Sequence, residues 1–185
     1  MARYRARKRR TVESQAALRE MRGQMSDAGP VMDAAAAFLA VRPRSVDEMR
    51  RRLGHLGYPD ALVGQVVDRL IEMEYLDDAV FAREWVESRD RARPRGESAL
   101  RRELALKGVS RGVVDEVLVE RRQTAGGGDP NGAAALALLD RSRASIERET
   151  DPARRRQRAF ALLARNGFDP ETCREASVTF LRPAD

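Results

Sequence analysis

Thiol and imidazole groups are nearly missing from this chain, whose 185 residues include one cysteine, Cys173, and one histidine, His55. A single cysteine permits no internal disulfide, and one Cys with one His cannot build a zinc site of the usual kind, so no metal and no cofactor are expected. Aromatic residues make up 5% of the chain, with Trp85 the one tryptophan. Alanine, arginine, leucine and glutamate dominate instead, a composition that favours helix over sheet. No stretch approaches the roughly 18 apolar residues that cross a bilayer, and the N-terminus lacks the apolar core of a signal peptide. A soluble, cytoplasmic protein is the expectation. Lysine is nearly as scarce as cysteine: Lys8 and Lys107 are the two in the chain, so positive charge rests on arginine.

What is present is a repeated phrase: leucine, three residues, glycine, a bulky apolar residue and a turn residue, followed by a new amphipathic run. It occurs as Leu53/Gly57/Tyr58/Pro59, Leu104/Gly108/Val109/Ser110 and Leu163/Gly167/Phe168/Asp169. Glycine alone adopts the left-handed conformation just past a helix C-terminus without a Cβ penalty, so each phrase predicts a helix–turn–helix corner. A shift of 51 residues carries the first copy onto the second, and the same shift carries Arg42-Pro43-Arg44 onto Arg93-Pro94-Arg95. Two features sharing one offset imply tandem repeats of a helical unit.

The local signals divide the chain accordingly. Residues 1–30 read as a basic arm, helical from Thr11 to Met21 and ended by a Gly29-Pro30 break. Residues 31–76 form the first three-helix repeat: Val31 to Val41, a second helix opened by the capping-box spacing of Ser45 and Glu48, and a third beginning at Pro59 or Asp60. Residues 77–123 form the second, opened by Asp77 as N-cap, with Gly96 to Leu106 as its middle helix and Ser110 capping its third. Residues 124–131 are a Gly-rich linker, where flexibility between repeats is expected. Residues 132–185 form the third repeat, with helices opened by Asp151-Pro152 and Asp169-Pro170. Cys173, Ala176 and Phe180 take the places of Val63, Val66 and Leu70, which makes Cys173 a core residue rather than a reactive thiol. Units of about 45 residues are too small for comfortable independent cores, so stacking into an elongated, curved all-α array is expected.

The charge is unevenly placed. The net charge is +6, and the first ten residues alone carry six basic residues, Arg3, Arg5, Arg7, Lys8, Arg9 and Arg10. In the body, five arginines face two acids between Arg42 and Arg52, and seven basic residues face three acids between Arg89 and Lys107. Between these basic runs, seven acids face two arginines from Asp68 to Glu87. Basic segments around helix corners suit phosphate, because each neutralised phosphate releases counterions and adds sequence-independent affinity. The competing reading of any one helical arginine is a solvated face paired with nearby acids. Arg42, Arg44, Arg93 and Arg95 escape it more readily, since they flank prolines outside the helices.

Catalysis is not expected. The acids Glu72, Glu74, Asp77 and Asp78 lack the spacing of an EF-hand, and no set of titratable groups converges with a nucleophile. Asp77 is explained as a cap and Asp78 as an acid in a first helical turn. His55 reads as a surface or boundary residue, and Trp85, beside Phe81 and Val86, as core.

At Glu74-Tyr75-Leu76-Asp77-Asp78, through Phe81-Ala82 to Trp85-Val86 and Arg89, the chain resembles the RecX family of RecA regulators. The resemblance runs on through Leu100-Arg101-Arg102-Glu103-Leu104 to Lys107-Gly108-Val109 and into Arg165-Asn166-Gly167-Phe168, covering about Met32 to Leu181. It implies three tandem three-helix repeats that bind the RecA–DNA filament and inhibit RecA's ATP hydrolysis, strand exchange and coprotease activity, modulating recombinational DNA repair and the SOS response. The implied partners are the RecA filament and single- and double-stranded DNA without sequence preference, and the expected state is a monomer. Candidate contact residues are Arg42, Arg44, Arg50, Arg51, Arg93, Arg95, Arg101, Arg102, Lys107, Arg154 and Arg155. The alternative is an autonomous DNA-binding regulator of helix-turn-helix type, which would need polar base readers on a recognition helix.

Overall fold

The computed structural model describes residues 14–124 and 128–182 and is all-α, with eleven helices and no strand among them. They are α1 (residues 14–23), α2 (Gly29–Leu39), α3 (Val46–His55), α4 (Asp60–Glu72), α5 (Asp78–Ala92), α6 (Glu97–Leu106), α7 (Arg111–Thr124), α8 (Pro130–Arg141), α9 (Arg143–Glu147), α10 (Pro152–Arg165) and α11 (Pro170–Phe180). The chain forms two compact units, Met1–Phe81 and Ala82–Asp185. None of the described helices is long and apolar enough to cross a membrane.

The three glycine corners form as the spacing predicts. Gly57, Gly108 and Gly167 have φ of 93°, 78° and 85°. At each corner the N–H of the residue after glycine reaches back to the leucine carbonyl: Tyr58 to Leu53 at 3.4 Å, Val109 to Leu104 at 3.1 Å and Phe168 to Leu163 at 3.3 Å. That is a Schellman closure, in which the same two residues also make the apolar contact that seals the helix end. All six of those side chains are buried. The repeated phrase is therefore both the stop signal and a piece of each core.

Helix starts follow their caps. Ser45 Oγ accepts from the Glu48 N–H at 3.1 Å, and Asp77 accepts from Ala79 and Val80 at 2.7 and 3.0 Å. Asp151 and Asp169 each accept from two N–H groups of the following turn, satisfying donors that a helix leaves unpaired. Pro59 caps α4 through its backbone alone, so α4 begins at Asp60. Two boundaries differ from expectation. Gly29-Pro30 opens α2 rather than breaking the chain before it, because proline within the first helical turn has no N–H to leave unsatisfied. The third repeat also gains a short extra helix, α9, with Ile146 buried. Of the expected arm helix, residues 11–13 lie outside the described residues, and α1 extends two residues past Met21.

In the first unit the core is Val31, Ala35, Met49, Leu53, Tyr58, Val63, Val66, Val67, Leu70 and Leu76. In the third repeat it is Ala134, Ala135, Leu139, Ile146, Ala159, Leu163, Phe168, Cys173, Ala176 and Phe180. Cys173 is fully buried, and desolvation pushes its thiol pKa up, which keeps it an inert core residue. The second repeat buries Ala82, Val86, Leu100, Leu104, Val109, Val114, Val117 and Leu118.

Repeats 2 and 3 are joined through backbone. The N–H groups of Gly96 and Ser98 donate to the carbonyls of Asn166 and Gly167 at 3.0 and 3.2 Å, so the start of α6 is capped by the end of α10. Arg141 of α8 adds hydrogen bonds to the carbonyls of Arg91 and Ala92 at the end of α5. Both repeats fall in one compact unit. The flexibility expected from the Gly-rich linker is thus opposed by a packed contact; residues 125–127 of that linker lie outside the described residues.

Candidate functional site

Repeat 1 and repeat 2 present their Arg-Pro-Arg turns in the same place, between the first and second helices, but with different neighbours. Arg42 makes a two-pronged ion pair with Glu48, at 3.0 and 2.9 Å, and also donates to the Pro43 carbonyl. At the shifted position Glu48 becomes Ala99, and the exposed Arg93 side chain makes no hydrogen bond or ion pair among the described residues. Arg44 lies over the Phe38 ring at 3.7 Å, with Arg52 at 5.5 Å from the same ring. Burial, and then Arg42, lower the Arg44 pKa. In repeat 2 the three corresponding residues are Arg95, Arg89 and Glu103. An aromatic ring between two cations has been exchanged for a carboxylate and a new cation.

That exchange builds a mixed cluster on repeat 2. Glu103 accepts from the Trp85 indole at 2.9 Å and from Arg89 at 2.6 Å, and pairs with Arg95 at 3.4 Å. Arg89 and Lys107 both lie over the Trp85 ring, at 4.2 and 5.0 Å. Two cations thus pair with one carboxylate, and two lie over the half-buried indole that donates to it. Trp85 is not the core residue its apolar neighbours suggest: its N–H takes a charged partner and its face takes cations, a role open to an amphipathic ring at a surface.

The remaining candidates separate by their partners. Arg95 also donates to Asn166 and so helps join repeats 2 and 3. Arg101 is bound to Asp115 and lies 3.8 Å from Glu97. Arg50 sits 3.8 Å from Asp68, and Arg51 pairs with Asp47 at 2.8 Å. Arg155 donates to the Glu149 carbonyl at 2.9 Å. Arg102 and Arg154 are exposed and, like that of Arg93, their guanidinium groups make no polar contact with a described residue. Sequence reading missed two structural arginines, Arg121 and Arg141, because their partners Asp90, Arg91 and Ala92 are far off in the chain.

No group of three or more His, Cys, Asp or Glu side chains among the described residues could hold a metal ion. The arrangement offers fixed cations and an aromatic face, which is binding chemistry.

Two family models match this helical architecture: the second three-helix domain of RecX over residues 77–118, and the first three-helix domain over residues 32–70. The chain is also 31% identical over 150 residues to the Regulatory protein RecX of Prosthecochloris aestuarii, across 81% of this chain and 93% of that protein. The chain belongs to the RecX family. The RecX of Mycobacterium avium is 36% identical over 138 residues, 71% of this chain and 73% of that one. The crystal structure of RecX from Lactobacillus salivarius shares the fold with a TM-score of 0.70 at 14% identity, covering 83% of this chain and 96% of that chain. The curated relatives are named regulatory proteins. Within the RecX frame, the first-domain match contains Arg42, Arg44, Arg50 and Arg51, and the second contains Arg93, Arg95, Arg101, Arg102 and Lys107; Arg154 and Arg155 fall outside both.

Proposed function

We propose that this RecX-family chain binds the RecA–DNA filament and inhibits RecA ATP hydrolysis, strand exchange and coprotease activity, acting by occupancy without chemistry of its own. The observation that carries the reading is the division among its cations. Arg93, Arg102 and Arg154 can meet phosphate or an acidic protein surface without surrendering an internal partner, whereas Arg42, Arg95 and Arg101 would have to break pairs that hold their repeats together. Affinity built this way is sequence-blind and falls as salt rises. The Trp85 cluster supplies a further cationic surface whose ring can stack.

The double reversal Arg93→Glu with Arg102→Glu is the test, titrated into RecA–single-strand filaments with ATP turnover as readout. Inhibition is expected to weaken by about tenfold at physiological salt, with unchanged circular dichroism. Full inhibition by a folded double variant would remove these side chains from the interface. An autonomous helix-turn-helix regulator is the second reading. Its recognition helices would be α4 and α7, whose exposed residues include Asp60, Asp68, Glu72, Glu116 and Glu120, and carboxylates there repel phosphate. Protection of one operator in the absence of RecA would favour that reading.

A further inference from the structure

The Gly167 corner of repeat 3 is a socket. It receives the start of α6, whose Gly96 and Ser98 N–H groups donate to the carbonyls of Asn166 and Gly167. The fit is close: a Cβ on Gly167 would lie 2.5 Å from Ala99 Cβ, and one on Gly96 would lie 2.2 Å from the Gly167 carbonyl oxygen.

The Gly57 corner of repeat 1 is filled differently. There α1 lies across it, so close that a Cβ on Gly57 would come within 2.8 Å of Arg19 Cα. The C-cap carbonyl, Leu56 O, takes the place of Asn166 O, and it accepts from Arg22 Nη1 at 3.2 Å. Arg22 also lies 5.3 Å from the centre of the Tyr58 ring. A guanidinium N–H thus does for the first repeat what a backbone N–H of the neighbouring repeat does for the third. Terminal repeats of stacked arrays need such an end-piece.

The hold of α1 is slight. Every residue of α1 except Arg22 is exposed, Leu18 and Met21 included, and a ten-residue helix with so little packed surface does not persist alone in water. Its second anchor is Arg19 Nη2, 3.0 Å from His55 Nε2. A guanidinium has no lone pair to offer, so this contact exists only while the imidazole is neutral with Nε2 as acceptor. Among the described residues, the charged groups around the small cavity between α1 and α3 are Arg19 and Arg22 from α1 and Arg52 from α3, beside His55 itself. All are cations.

We propose that α1 is a detachable end-cap on repeat 1, latched by neutral His55 and released when that imidazole takes up a proton. Protonation turns the acceptor into a donor and sets a fourth positive charge among three arginines. Docking is therefore strongest while the imidazole is neutral and weakens as the ring takes up a proton. Once the released form binds a proton that the docked form cannot, the docking equilibrium falls about tenfold per pH unit.

The test is hydrogen exchange of the full chain by NMR, expressed as protection relative to intrinsic exchange, at pH 8 and pH 5.5. Amides of residues 18–23 should be protected at the higher pH and lose protection at the lower one, while Val66 and Val67 in the repeat core stay protected. His55→Gln keeps an acceptor for Arg19 and removes the proton, so its α1 should remain protected at both. Absence of α1 protection at pH 8 would overturn the cap. Equal protection of the wild-type chain at both values, or equal loss in His55→Gln, would overturn the latch.

Discussion

Glu74 is the residue most at odds with its own backbone. It ends α4 with φ of 59°, and the hydrogen bonds around it, Glu74 N–H to Ile71 O and Tyr75 N–H to Leu70 O at 2.9 Å each, repeat the Schellman closure that glycine makes elsewhere. A side chain in that conformation is strained. Glu74→Gly is expected to raise stability by roughly 0.5–1 kcal/mol, read as a higher urea midpoint with unchanged slope. The glycines divide by the same logic. A Cβ on Gly64, inside α4, meets nothing within 4 Å, so Gly64→Ala should stabilise by about 0.5–1 kcal/mol. Gly96→Ala should instead cost roughly 1–3 kcal/mol, since its methyl would meet the Gly167 carbonyl. Gly57, Gly108 and Gly167 were legible in the sequence because their reason lies in the four residues before them. Gly96 looked like an ordinary helix start, because its reason lies on another repeat.

At the scale of elements, caps carried most of the legible information, and Asp78 shows where that information stops. Its place in the first turn of α5 was readable. Its carboxylate also accepts from the Val46 N–H at 2.9 Å and so caps α3, a bond between segments that no local pattern reveals. Asp78 is half-buried, and desolvation is the first cause of its raised pKa, opposed by the Val46 bond. A carboxyl whose pKa is raised by folding holds its proton more tightly in the native state, so its contribution to stability falls as pH rises from the unfolded pKa through the folded one. Asp78→Asn keeps an acceptor for Val46 and removes the charge. It should be at least as stable as the wild-type chain at pH 7, and the wild type should gain on it as acidification protonates Asp78. Asp78→Ala loses the acceptor and should cost about 1 kcal/mol at pH 7. Thermal melts of the three proteins between pH 3 and 7 separate these outcomes; a wild type that falls behind Asp78→Asn on acidification would mean that folding lowers the Asp78 pKa, with the Val46 bond outweighing desolvation. The short α9 escaped the sequence reading because five residues are too few to establish a helical period.

For the molecule as a whole, the runs of like charge were legible, but their availability was not. Arg42 and Arg93 occupy matched places in the repeat, and a single exchange, Glu48 for Ala99, ties one down and leaves the other exposed. The joint between repeats 2 and 3 poses a related question: glycine content reports on the connecting chain, while the contacts among Gly96, Ser98, Asn166 and Gly167 oppose independent motion of the connected parts. The two repeats carry their own reporters, the one tryptophan at Trp85 and the one cysteine at Cys173. If the backbone joint couples them, Trp85 fluorescence and Cys173 thiol accessibility should change at the same urea concentration. Doubling the linker by inserting Gly and Ser among residues 125–127 should leave the transitions coincident, because loop closure costs only about 0.6 kcal/mol per doubling of length. Gly96→Ala should pull them apart, because it strikes the joint and not the chain. Separate transitions in the unmodified protein would mean that the carbonyl-to-N–H contacts are too weak to couple repeats 2 and 3, and that the linker sets their independence after all.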